Sequence, residues 1–96
     1  MSRLVRLPAS VTSLANGWDG KPWPLTFTCR RSRYRADLTD TRAEMFKVVG
    51  EWWNDPNAVI KPPPDSEFYR LPLVGGGLVE LVKEPDGSWV LWKVYD

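Results

Sequence analysis

The chain has 96 residues, a formal net charge of +1, 43% hydrophobic residues and 26% charged residues. Such a chain has room for one domain with one core, and its composition is that of a folded globular protein. Because it contains no histidine and a single cysteine, Ser-His-Asp and Cys-His catalysis, His-ligated metal sites, intrachain disulfides and Cys-rich zinc sites are excluded.

The sequence also bears on where in the cell the protein is found. No apolar run approaches the ~18 residues of a membrane-spanning helix, and residues 1–6 lack the apolar stretch of a signal peptide. We therefore predict a cytoplasmic protein that contacts no membrane and has no cofactor, no metal site and no catalytic residues.

The near-neutral net charge hides an asymmetry along the chain. Residues 1–48 carry nine basic and four acidic side chains, whereas residues 49–96 carry four basic and eight acidic ones. Opposite signs in the two halves favour their docking on each other, or the presentation of one basic face to a polar molecule.

The amino-terminal part predicts strands and one hairpin. Residues 1–16 are predicted to be a peripheral arm with a strand at 10–14, and residues 19–22 a turn. Residues 25–30 and 33–38 each alternate between apolar and polar side chains, which is typical of two paired strands.

The two faces of this hairpin differ in chemistry. Its turn is predicted at Arg31 and Ser32. The apolar side chains share the face expected in the core: Leu25, Phe27, Cys29, Tyr34, Ala36 and Leu38. The opposite face is polar and cationic: Thr26, Thr28, Arg30, Arg33, Arg35 and Asp37. The cysteine is thus predicted to be a packing residue and not a nucleophile.

Residues 41–53 allow two interpretations. A capping box at 41–44 and apolar residues at helical spacing predict a short helix. Gly50 and the apolar run at 46–49 favour a strand equally well. Both interpretations stay open, and residues 58–66 are predicted to be an exposed loop.

Residues 67–96 are predicted to form a three-strand antiparallel meander. The runs at 67–74, 78–84 and 89–95 are rich in β-branched and aromatic residues, and glycine-rich and Pro-Asp-Gly turn signals separate them. In the last run, strict alternation puts Val90, Trp92 and Val94 on one face and Trp89, Leu91, Lys93 and Tyr95 on the other. Both faces are largely apolar, so we expect this strand to be covered on both sides.

Together these elements predict a mainly β fold in a single domain spanning residues 1–96. We expect a small antiparallel sheet of five to six strands that forms an SH3-like, partly open barrel, with or without one short helix. An unpaired edge strand of such a barrel would favour a homodimer.

Two sets of residues are candidates for binding. The first is basic and is predicted to contact the phosphates of a nucleic acid: Arg30, Arg31, Arg33 and Arg35. Its alternative is a solvated strand face, which the low net charge favours. The second set is aromatic and is predicted to dock a protein: Trp52, Trp53, Phe68 and Trp89. Its alternative is that these rings are core.

These motifs together resemble a family of short bacterial domains of unknown function. The matching blocks are Gly20-Lys21-Pro22, Leu25-Thr26-Phe27, the basic turn before Tyr34, Glu51-Trp52-Trp53-Asn54-Asp55, Glu67-Phe68-Tyr69-Arg70, Val79-Glu80-Leu81 and Trp89 to Asp96. The resemblance covers residues 17–96. The chain departs from the family pattern in two places. Ser32 stands where glycine is usual, and the segment 37–50 is longer than the corresponding segment of the family.

Members of that family are associated with Y-family-polymerase-like translesion proteins. The resemblance implies a non-enzymatic accessory role in bacterial DNA damage tolerance, and it supplies no catalytic residue. We therefore predict a module that binds a protein partner of unknown identity, with weak nucleic-acid binding by the arginine-rich hairpin as the alternative function.

Overall fold

The computed structural model describes residues 2–47 and 65–95, which form a seven-stranded antiparallel sheet. The strands are β1 (Ser2–Asn16), β2 (Pro22–Cys29), β3 (Ser32–Arg35), β4 (Glu44–Lys47), β5 (Glu67–Pro72), β6 (Leu78–Lys83) and β7 (Trp89–Tyr95). Their order in the sheet is β3-β2-β1-β7-β6-β5-β4. The mainly β prediction is confirmed, although these residues form seven strands where five or six were expected. They include no helix long and apolar enough to cross a membrane.

Strand β1 joins the two halves of the sheet. Its first half pairs with β7, with Ala9 opposite Trp89, and its second half pairs with β2, with Ser10 opposite Thr28. The segment predicted as a peripheral arm is therefore a strand from Ser2 to Asn16. Pro8 lies within it and lacks a backbone donor, which weakens a strand signal in sequence.

Two irregularities bend β1. Arg6 has a φ of +50° and lies where β1 holds one residue more than β7, between Leu4 and Leu7. The second irregularity is a double register shift in the pairing with β2, between Val11 and Ser13 and between Ser13 and Leu14. Bulges of this kind bend a strand and increase its twist, and the sheet curls accordingly.

The curl brings the end of β3 against the end of β5. Ala36 forms an isolated bridge with Leu73, and the backbone N–H of Asp37 donates to the carbonyl of Pro72 at 2.8 Å. These contacts tie together two strands that are far apart in the sheet order. The sheet order is therefore not closed by pairing of its end strands, β3 and β4. At this corner, however, the ends of β3 and β5 are in contact.

The main core lies inside the curl. Its most deeply buried members are Trp23, Phe27, Leu71, Val79, Leu81 and Leu91. A second, smaller cluster covers the opposite face of β4 to β7: Phe46, Phe68, Val82, Val90 and Trp92. The prediction that the last strand is covered on both faces is confirmed, because β7 contributes side chains to each cluster.

The β2–β3 hairpin has the predicted faces. Phe27, Cys29 and Ala36 are buried, and Leu25, Tyr34 and Leu38 are half-buried. The turn differs by one residue from the prediction. Cys29 pairs with Ser32, so Arg30 and Arg31 form the turn, with Arg30 at a φ of +57°.

The segment from Thr41 to Lys47 contains a strand and no helix. β4 pairs with β5, with Glu44 opposite Arg70 and Lys47 opposite Glu67. Within these residues the helix prediction is wrong, because the backbone completes a ladder with β5 that a helix would forgo. Residues 48–64, with most of the predicted loop, lie outside the described residues.

A bulge in β7 changes the predicted alternation of its side chains. Leu91 pairs with Leu81 and Lys93 pairs with Glu80, so Trp92 has no partner on β6. Beyond the bulge the strict alternation is wrong. Val94 packs against the main core, because the extra residue shifts every later side chain to the other face.

Among the described glycines, Gly17 leaves the least room for a side chain, because the Trp23 indole lies directly over it. A Cβ atom at residue 17 would lie 2.6 Å from the indole Nε1. The indole is 1% exposed, and its Nε1 donates to Asp19 at 2.9 Å. We expect Gly17→Ala to lower the free energy of unfolding by about 1–3 kcal/mol, measured by urea denaturation, because the buried ring cannot move aside freely.

Gly20, in the same turn, provides the control. No atom lies within 4 Å of a Cβ built there, and its φ is +76°. Asparagine tolerates this left-handed backbone better than most residues, so Gly20→Asn should cost only the backbone strain, about 1 kcal/mol or less, and less than Gly17→Ala. Wild-type stability of Gly17→Ala would contradict the close packing of Trp23.

Candidate functional site

The interior of the curled sheet opens at one end into a cleft of about 810 Å³. Its principal lining side chains come from six elements and are Leu14, Lys21, Trp23, Met45, Glu67, Tyr69, Lys83 and Trp89. We call it the aromatic cleft. Its volume lies within the range of pockets that hold small ligands or a few side chains of a partner.

Three rings form one wall of the aromatic cleft. The ring centroids of Trp23 and Tyr69 lie 5.6 Å apart at 72°, and those of Tyr69 and Trp89 lie 5.7 Å apart at 42°. Aromatic pairs favour such edge-on and tilted arrangements. Tyr69 is 4% exposed, whereas Trp89 is half-buried. Two buried rings therefore support the one ring that a partner can reach.

Polar contacts hold the floor of the aromatic cleft. The Tyr69 hydroxyl donates to Glu67 Oε2 at 2.7 Å. Burial raises the pKa of Tyr69 well above its usual value, and the hydrogen bond and negative charge of Glu67 raise it further. The phenol therefore stays neutral. Lys83 Nζ lies 5.7 Å from the centroid of Trp89, a cation–π contact.

The carboxylates of β5 and β6 do not form a catalytic pair. Glu67 lines the aromatic cleft, whereas Glu80 lies on the opposite face of the sheet. Glu80 is buried, and it accepts hydrogen bonds from Tyr95 at 3.0 Å and from Arg70 at 3.4 Å. It therefore serves an internal polar network. Within residues 2–47 and 65–95, no group of three side chains could ligate a metal ion.

The four candidate arginines lie together at the other end of β2. We call the turn residues Arg30 and Arg31 with the strand residues Arg33 and Arg35 the arginine hairpin. All four are exposed, and none forms an ion pair with any residue that the structure describes. Asp37, a candidate partner, instead accepts from Thr39.

Hydroxyl groups continue the face of the arginine hairpin. Thr12 and Thr26 share a hydrogen bond of 2.6 Å between their side chains. A shallow groove of about 430 Å³ runs past Thr12, Thr28, Arg33 and Arg35. Cations and hydroxyls on one exposed face are the groups that contact phosphate oxygens.

Of the two aromatic candidates that the structure describes, Phe68 and Trp89, one lies in the aromatic cleft. Trp89 lines it, as described above. Phe68 is 2% exposed and packs with Val82 and Trp92 in the second cluster, so the structure places it away from the aromatic cleft. The alternation of β5 points it away from the cleft and into a covered face. Trp52 and Trp53 lie outside the described residues.

The prediction missed the most exposed aromatic ring of the described chain. Trp18 is 75% exposed and contacts Trp23 edge-on, with ring centroids 6.3 Å apart. A signal was present in the sequence, because Trp18 lies between Gly17 and the Asp19-Gly20 pair. A bulky side chain in such a turn belongs to no pleated face.

Comparisons of the chain with protein-family models, with curated proteins and with solved structures found no match. The chemistry of the aromatic cleft and the arginine hairpin is therefore the basis for the functional proposals below.

The raised pKa of Tyr69 predicts a pH effect on stability. The folded state holds the phenolic proton more tightly than the unfolded state, whose tyrosine ionises near its ordinary pKa of 10.0. Stability should therefore fall as the pH rises above about 10, by up to about 1.4 kcal/mol per pH unit. Tyr69→Phe should therefore lose less stability than the wild type between about pH 9 and about pH 11, as measured by urea denaturation. An equal loss of stability in both proteins would contradict it.

Proposed function

We propose that this chain is a non-enzymatic binding module that holds a segment of a protein partner in the aromatic cleft. One observation carries this proposal: the half-buried Trp89 lies at an open cleft of about 810 Å³. The buried rings of Tyr69 and Trp23 pack behind it. Rigid aromatic side chains of this kind concentrate binding energy in protein interfaces, because they bury a large area at a small cost in entropy.

A short segment suits this site better than a broad folded surface. The lining side chains come from both halves of the sheet, from Leu14 on β1 to Met45 on β4. The site is therefore concave, and a partner must project side chains into it. We propose that the curled sheet is an SH3-like, partly open barrel. The curl and the bridge between Ala36 and Leu73 support it, and such small barrels use aromatic-lined grooves for peptides.

We propose bacterial DNA damage tolerance, in the cytoplasm, as the setting of this module. The support is the resemblance of residues 17–96 to domains associated with Y-family-polymerase-like translesion proteins. A homodimer through an edge strand stays a prediction. Among the described strands, β3 and β4 are the ends of the sheet order.

A second candidate function is nucleic-acid binding by the arginine hairpin. Four exposed guanidinium groups without an ion pair to any described residue support it. Guanidinium groups on an exposed hairpin can track a phosphate backbone, and each contact releases counterions.

Selection of a random peptide library on the immobilised protein tests the first function. We expect enriched peptides whose affinity falls about tenfold or more in Trp89→Leu, because a ring at the centre of an interface contributes about 2 kcal/mol or more. Leucine keeps an apolar side chain in place of the half-buried ring. Circular dichroism checks that the variant folds.

Val74→Ala is the matched control, because Val74 is exposed and lies outside the aromatic cleft. It should bind the selected peptides as the wild type does. Absence of enriched peptides, or equal affinity of wild type and Trp89→Leu for them, would rule the function out.

Fluorescence anisotropy with a labelled single-stranded oligonucleotide tests the second function. The double variant Arg33→Ala/Arg35→Ala should bind more weakly. Its slope of log K against log salt should be less steep by about 0.7 for each phosphate that the two arginines neutralise in the wild-type complex. Arg42→Ala/Lys47→Ala removes the same charge elsewhere and should have a smaller effect. A flat salt response of the wild type would eliminate this candidate.

A further inference from the structure

Several carboxylates lie in or next to the aromatic cleft. Glu67 belongs to its lining, and an adjoining groove shares Glu67 and Lys83 with it and adds Asp65, Glu84 and Asp86. Asp19 hydrogen-bonds the Trp23 indole, and its charge contributes to the raised pKa of Tyr69, so it is also close by. We call these five acidic residues, Asp19, Asp65, Glu67, Glu84 and Asp86, the acidic mouth.

The described residues do not neutralise the acidic mouth by ion pairing. None of its carboxylates forms an ion pair within residues 2–47 and 65–95. Asp86 accepts from the Ser88 backbone N–H and hydroxyl, and Glu67 accepts from the Tyr69 hydroxyl. These donors are neutral, so they fix the orientation of the carboxylates without reducing their charge.

The cations at the cleft are fewer than these carboxylates. Lys21 and Lys83 are the lysines that line it. Lys83 lies over the face of Trp89 and opposite Glu67 in the β5–β6 ladder, but it forms no ion pair with Glu67. Lys47 lies opposite Glu67 in the β4–β5 ladder. Five carboxylates against three ammonium groups still leave the region with a negative potential, which attracts cations.

The aromatic rings favour the same kind of guest. A guanidinium or ammonium group binds over an aromatic face, and most strongly over an indole. The contact of Lys83 with Trp89 is an example within the chain itself. Trp18 extends the aromatic surface past Trp23 and is 75% exposed, so its ring is open to a cation from outside.

We propose that the partner segment bound by the aromatic cleft is basic, with an arginine or lysine side chain placed against the indoles and its charge balanced by the acidic mouth. This inference rests on the proposed function and adds the chemistry of the partner. An acidic segment would be repelled by the same carboxylates, and a nucleic acid would bring phosphates to the negative end of the molecule.

The experiment measures fluorescence anisotropy of a labelled peptide in which arginines flank a central leucine, beside a peptide with glutamates in place of the arginines. The wild-type protein should bind the arginine peptide and not the glutamate peptide, and the affinity should fall as salt rises from about 0.05 M to about 0.5 M, because the charges are exposed. Glu84→Gln/Asp86→Asn should weaken binding about threefold to tenfold. These substitutions keep the shape of each side chain, and asparagine can still accept the Ser88 hydrogen bonds.

Asp37→Asn is the control for loss of a carboxylate, because Asp37 lies beyond β3 and bonds to the far end of β5. It should leave the affinity unchanged. Lys83→Gln removes a competing cation and should raise the affinity for the arginine peptide. If the carboxylates had only a structural role, removing Lys83 would not raise the affinity while removing the carboxylates lowers it.

Two outcomes would overturn the proposal. The first is equal or tighter binding of the glutamate peptide. The second is a set of library-selected peptides that depend on Trp89 but are neutral or acidic, which leaves the proposed function standing while its chemistry is wrong. Self-association of the wild type that both Arg30→Ala/Arg31→Ala and Trp89→Leu abolish would support the basic chemistry and identify the arginine hairpin of a second copy as the bound segment. Failure of the proposed function itself is distinguishable, because no selected peptide would then depend on Trp89.

Discussion

The backbone ladder of β1 is the interaction on which the rest of the structure depends. One strand of fifteen residues pairs with β7 over its first half and with β2 over its second half. It can serve both partners because it bends where Arg6 adopts a positive φ and where the register shifts after Val11. The aromatic cleft is a consequence of that bend, since its walls belong to the two halves that β1 connects. A straight β1 would leave a flat sheet with Trp23 and Tyr69 far apart, because three strands separate β2 from β5 in the sheet order.

The tryptophans have different roles because the curl encloses them unequally. Trp23 fills the interior and is fixed by Asp19 and by contact with Gly17. Trp92 belongs to the second cluster on the other face, where a bulge provides it with an extra position on β7. Trp89 lies at the open end of the curl, where β7 begins, and is only half-buried. A small chain must use large rings to fill its core, and at the rim of that core the same packing leaves a ring accessible to a partner.

The sequence supported predictions that depend on local pattern. The period of two around Phe27 and Tyr34 identified the core face of the hairpin, and the turn signals delimited the carboxy-terminal meander. What it could not predict is the orientation of side chains that depends on pairing with strands far away in the sequence. The face of Val94 is decided by a bulge in the pairing of β7 with its neighbours, and no single strand contains that information. Phe68 has the character of an interface anchor in sequence, yet it faces a covered side because the pairing of β5 with β4 and β6 sets its orientation. The cleft also combines Met45 with Trp89, two residues that only the sheet order brings together.

A net charge of +1 conceals a separation of charge along β2. Pro22, at one end of this strand, lines the aromatic cleft beside the acidic mouth, and Cys29, at the other end, leads into the arginine hairpin. Eight extended residues span about 25 Å, which exceeds the Debye length of about 8 Å at physiological ionic strength. The two ends therefore do not neutralise each other in solution, although their charges nearly cancel in the sum. Each end can attract its own class of partner, and a ligand at one end changes the potential at the other very little. The small net charge is thus a weak argument against an electrostatic function for this chain, because binding responds to the local potential and not to the total charge.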